Sequence, residues 1–98
     1  MAKALTGKQR RTLRALGHHL KPVVQVGQDD LTEGVISAVD AQLQVHELIK
    51  IKVGESASTP RHEAAEQLAE KTASELVQVL GRTVLLYRRH PEKPKIEL

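Results

Sequence analysis

The chain has no cysteine, no tryptophan and no phenylalanine, and Tyr87 is its single aromatic residue. Without cysteine there is neither a disulfide scaffold nor a thiolate metal site. With one ring, the core has to come from Leu, Val, Ile and Ala, and no platform of several stacked aromatics can form. No apolar run approaches the roughly 20 residues that a helix needs to cross a bilayer. The start MAKALTGKQRR also lacks the long apolar stretch of a secretory signal. These absences lead us to expect a soluble, cytoplasmic protein with no membrane partner. Catalytic signatures are missing as well. His18, His19, His46, His62 and His90 form no HExxH pair, and there is no GxxxxGK[ST] or GxGxxG loop. Ser37, Ser56, Ser58 and Ser74 stand in no nucleophile-elbow context, and the Asp29–Asp30 pair has no identifiable third ligand. The expectation is a protein that is not an enzyme and has no metal and no cofactor.

What the chain does have is charge sorted along its length. Its 98 residues carry a net charge of +3. Residues 1–21 hold six Lys or Arg and no acid, residues 22–47 hold five acids and no Lys or Arg, and residues 48–98 hold nine bases and seven acids. Clustered bases focus a positive potential that attracts polyanions.

Length and the absence of linkers, repeats or low-complexity tracts fit a single domain over residues 1–98, with 89–98 as an extended tail. Thr6 and Gln9 form a capping-box pattern for a helix running to about Leu16, with Gly17 as its stop. On that helix Arg10 and Arg14 are four apart and share a face, while Lys8 and Arg11 lie on a neighbouring one. VVQV (23–26) reads as a short strand. Val35, Ile36, Val39 and Leu43 recur at helical spacing within 31–45, where Gly34 suggests a close backbone approach. LIKIKV (48–53) alternates, placing Ile49, Ile51 and Val53 on one face and Lys50 and Lys52 on the other. Thr59 as cap and Pro60 at the first helical position open a third helix to about Lys71. LVQVL (76–80) and TVLLYR (83–88), separated by Gly81 and Arg82, form a hairpin. The order α-β-α-β-α-β-β indicates an α/β fold with a four-stranded mixed sheet and packed helices. In the tail HPEKPKIEL, Ile96 and Leu98 are the residues able to pin it to the body.

The junction VVQVGQDDLTEG can be read in two ways. Gly27 follows a strand and precedes a helix, so backbone N–H groups could converge on a phosphate. Against this, Asp30 with Glu33 matches a capping box, and a capping carboxylate would occupy the same N–H groups. Attraction would then have to come from Lys8, Arg10, Arg11, Arg14, Lys21, Lys50 and Lys52, with Arg82, Arg88 and Arg89 as a second group.

LTGKQRRTLRALGHHLKPVVQVGQDDLTEGV, HELIKIKV and ELVQVLGRTVLLYRR, in that order and spacing, resemble the YhbY family of bacterial RNA-binding proteins, the stand-alone form of the CRM domain. The resemblance spans about residues 5–98. It implies a fold similar to the C-terminal domain of a bacterial translation initiation factor. It also implies a non-catalytic role on rRNA of large-subunit precursors during ribosome assembly. The family's KH-like GxxG loop falls on Gly27, Gln28 and Asp29, with Asp30 where the second glycine is expected. A side chain at 30 hinders close backbone approach, which moves weight to Lys8, Arg11, Arg14, Lys50 and Lys52. The expected partner is structured RNA bound by a monomer. The alternative is a protein-interaction module that docks through its basic N-terminal helix.

Overall fold

The computed structural model describes residues 5–98; the first four residues of the acid-free segment, Lys3 among them, lie outside the described part. The elements are α1 (Gly7–Gly17), β1 (Pro22–Val26), α2 (Glu33–His46), β2 (Leu48–Val53), α3 (Arg61–Lys71), β3 (Glu75–Leu80) and β4 (Thr83–Tyr87). The strands form one sheet in the order β1-β2-β4-β3. β1 and β2 run parallel, so they need the crossover that α2 provides, and the other two pairs are antiparallel. The β3–β4 hairpin turns at Gly81, whose φ of +58° suits a residue without a side chain.

The alternation in LIKIKV divides the molecule into two cores. Ile49, Ile51 and Val53 point to the face covered by α2 and α3, where they meet Val39, Leu43, Ala65 and Leu68. Leu48 points to the opposite face, where α1 lays Leu13 against Val77, Leu85 and Tyr87. Lys50 and Lys52 share that second face, and α1 covers it only in part. A register shift between Leu76 and Gln78 breaks the alternation of β3 and lets Val77 join the α1 side. The capping box of α1 is present in full: Gln9 N–H donates to Thr6 Oγ1 at 3.1 Å, and Thr6 N–H donates to Gln9 Oε1 at 3.0 Å. Gly17 ends α1 as expected, but for a different reason. The residue after it is right-handed, so no left-handed stop exists. A Cβ at Gly17 would lie 2.6 Å and 2.7 Å from the two δ carbons of Leu85. The glycine is there to let helix and sheet approach.

Three local expectations need correction. α2 is capped by Thr32, whose Oγ1 accepts from Val35 N–H at 3.1 Å, and not by Asp30. The cap of α3 is Pro60, with no side-chain hydrogen bond, and not Thr59. A single cause explains both: the Asp30 carboxylate accepts from the Ser58 hydroxyl and, at 2.9 Å, from Thr59 N–H, tying the loop before α2 to the loop before α3. Gly34 meets no other backbone; the nearest neighbour of an added Cβ is Thr32 Oγ1 at 3.7 Å.

The tail has an anchor that sequence reading did not find. Glu47, at the C-cap of α2 with φ +64°, is 1% exposed. Its carboxylate accepts from the backbone N–H groups of His90 (2.6 Å), Lys95 (2.5 Å) and Ile96 (2.9 Å). Ile96 packs against the α1-side core, whereas Leu98 remains 47% exposed.

Candidate nucleic-acid interface

The cations gather on the α1 side of the sheet. The buried positions of α1 are Leu13 and Gly17, which leaves Arg14 on the flank facing β3 and turns Lys8 and Arg11 outward to solvent. Arg14 and His18 border a hollow of about 300 Å³ together with Lys50, Gln78 and Thr83. One step along β2, Lys52 lies between Gln25 of β1 and Thr83 of β4 in the ladder. Arg82 occupies the hairpin turn at that same end, where its carbonyl accepts from Val53 N–H at 2.7 Å. On the other flank of α1, Lys21 and Lys50 border a second hollow of about 450 Å³, walled by Leu16, Leu20 and Val23. Lys50 therefore sits at the centre, shared by both hollows.

The charges on this face are not neutralised within the fold. Among the described residues the ion pairs are Arg88–Asp40 at 2.6 Å and an exposed, long Arg82–Glu55 pair at 3.8 Å. Lys8, Arg11, Arg14, Lys21, Lys50 and Lys52 take part in neither. An exposed pair like that of Arg82 is worth little and is readily exchanged for another anion.

Two of the expected contact residues are engaged elsewhere. The guanidinium of Arg10 donates to the Leu76 carbonyl at 2.6 Å, binding α1 to the bulged part of β3. Arg88 donates to Asp40 Oδ1 at 2.6 Å, to the Thr72 carbonyl at 2.8 Å and to the Asp40 carbonyl at 3.1 Å. It joins β4 to α2 and to the end of α3, away from the α1 side. Both side chains hold the fold together, so their positive charge is offered to a ligand less freely than that of Arg14. Tyr87, 5% exposed in the α1-side core, offers no open ring for stacking.

The loop after β1 is a tight turn in which Asp30 N–H donates to the Gly27 carbonyl at 3.0 Å. Asp30 has φ +57°, a left-handed conformation in which glycine is the most comfortable residue and Asp one of the tolerated exceptions. The carboxylate is turned toward Ser58 and Thr59, and those hydrogen bonds, the Ser58 hydroxyl first, hold it below the ordinary aspartate value of 3.8. Gln28 and Asp29 are exposed at the tip. A Cβ at Gly27 would meet nothing within 4 Å, so nothing inside the fold requires a glycine there. The turn lies at the end of β1, one strand away from Lys52.

Sequence reading missed His18, Gln78 and Thr83 as neighbours of the cations, because only the packing of α1 across β3 and β4 brings them together. Among the described residues no group of three or more His, Asp or Glu could hold a metal ion, and no helix is long and apolar enough to cross a membrane.

This geometry has known counterparts. Residues 5–88 match the CRS1/YhbY (CRM) domain. The chain belongs to the CRM-domain family. Bacillus subtilis YqeI, whose name reads "Probable RNA-binding protein", is 39% identical over 94 residues, covering 96% of this chain and 98% of its own. A Pseudomonas aeruginosa protein with the same wording, PA4753, is 39% identical over 92 residues, covering 94% of this chain and 88% of its own. The solution structure of the hypothetical protein SAV1595 from Staphylococcus aureus is 44% identical, covers 96% of this chain and 98% of its own, and superimposes with a TM-score of 0.82.

Proposed function

We propose that this CRM domain is a non-catalytic, monomeric RNA-binding protein of the cytoplasm. In this reading it engages structured rRNA of the large ribosomal subunit precursor and assists assembly. The whole chain acts as one unit, with 89–98 as its tail. The observation that carries the reading is the set of cations on the α1 side that form no ion pair among the described residues: Arg14, Lys21, Lys50 and Lys52, extended outward by Lys8 and Arg11. Relatives of nearly the same length that are named for RNA binding support the ligand class, and the resemblance to the YhbY family supports the ribosomal setting.

Contacts of this kind go mainly to phosphates, which fix position and orientation without reading sequence. Specificity then follows from RNA shape. The Gly27–Asp30 turn adds backbone contact beside Lys52, and Asp29 keeps the tip from becoming a general anion trap. Crosslinking on ribosomal particles tests the assignment. Crosslinks concentrated in large-subunit precursor RNA, formed through peptides containing Arg14, Lys50 or Lys52, are expected. Crosslinks spread evenly over small-subunit RNA and tRNA, or capture of proteins that survives nuclease, would contradict it.

A further inference from the structure

We propose that the hollow between the end of α1, the start of β1 and the C-terminal tail receives a single unpaired nucleobase of the bound RNA. The inference rests on the RNA-binding reading and adds to it a second kind of contact, apolar where the first is ionic. Leu16, Leu20 and Val23 are 47%, 37% and 45% exposed, high values for large apolar side chains in a domain that buries most of its others. They wall one common hollow of about 450 Å³, which Leu48 and Ile96 also line. That volume lies within the ~300–1,000 Å³ range of small-molecule sites, enough for a base and too little for a folded segment.

The polar residues of the hollow select the occupant. They are Lys21, Lys50 and His46, and no acid lines it. A basic peptide would find no counter-charge there, whereas a nucleotide would find cations for its phosphates and donors for the carbonyl edge of its base. Lys50 also belongs to the Arg14–His18 hollow on the other flank of α1. A backbone that runs over Arg14 and Lys50 therefore brings its next base to the apolar walls. The ring of Tyr87 is buried, so this aliphatic site is where a base can shed water from its faces. The consequence is a preference for RNA in which an unpaired nucleotide adjoins a helix.

Two RNA hairpins of equal stem length test this, one fully paired and one carrying a single bulged 2-aminopurine. The bulged hairpin is expected to bind about tenfold more tightly, comparable to the effect of one packed base, with a change in 2-aminopurine fluorescence on binding. Leu20→Asn and Val23→Thr, each at an exposed position, are both expected to bring the bulged hairpin to the affinity of the paired one. Neither removes a cation, so the salt dependence should stay as it was. Equal affinity for the two hairpins, or a preference that survives both variants, would overturn the base-receiving hollow while leaving RNA binding in place. Failure to bind either hairpin at low salt would overturn the RNA-binding reading itself. A concentration-dependent mass in light scattering that Leu20→Asn abolishes would assign the hollow to a second copy of the chain and overturn the proposal as well.

Discussion

At the scale of single residues, a buried carboxylate far along the chain from the cationic helix sets the position of the tail. Burial opposes the charge of Glu47, but the backbone N–H groups of His90, Lys95 and Ile96 outweigh it and hold the carboxyl below its ordinary value of 4.5. A carboxyl depressed in the folded state contributes stability that is complete above its unfolded value and is lost as pH falls through its folded one. The domain should therefore lose stability as pH drops below about the ordinary glutamate range. Glu47→Gln should flatten that dependence and lower neutral stability by roughly 2–3 kcal/mol, since charged hydrogen bonds are replaced by weaker ones. Denaturant melts at a series of pH values measure both. Hydrogen exchange adds a local check: the amides of His90, Lys95 and Ile96 should be the first to lose protection. An unaltered acid limb in the variant would show that Glu47 does not anchor the tail.

At the scale of elements, the close approach that the sequence suggested at Gly34 is found instead at Gly17, which the sequence offered as a helix stop. Gly17 lets α1 approach Leu85 so closely that an added Cβ would displace its two δ carbons, and Leu85, 4% exposed, has to shift against a packed core. Gly17→Ala should cost about 1–3 kcal/mol despite alanine's better helix propensity. It should also weaken RNA binding, because α1 carries Arg14 beside Lys50. Gly34, near the start of α2, would give an added Cβ only an ordinary contact with Thr32 Oγ1 and should accept alanine with a gain of about 0.5 kcal/mol through the unfolded state. Thermal melts of the two variants should move in opposite directions. A stabilised Gly17→Ala protein would mean that Leu85 makes room for the added methyl at no net cost.

At the scale of the whole molecule, the signals that survive in sequence are local ones. The alternation of LIKIKV carries both cores and the placing of Lys50 and Lys52, and the capping box at Thr6 lies within four residues. What sequence could not show depends on distant partners. Asp30 looks like a helix cap because its true partner, Ser58, is 28 positions away. Glu47 looks like one more surface acid until His90, Lys95 and Ile96 return to it. Arg10, Arg14 and Arg88 are indistinguishable as letters. Only folding shows that Arg10 reaches a β3 carbonyl and Arg88 pairs with Asp40, while Arg14 opens onto a hollow shared with Lys50. The cationic face is thus narrower than the count of bases suggests and more centred on β2.

RNA affinity measured across a salt series tests the central claim most directly, using the native chain and a variant combining Arg14→Gln, Lys50→Gln and Lys52→Gln. Each phosphate contact adds about 0.7–0.9 to the steepness with which log affinity falls against log salt concentration. The native domain should show a steep line, and the variant a line shallower by about 2–3 with weaker binding at low salt. A flat native response, or equal slopes for the two proteins, would place the RNA on some other surface.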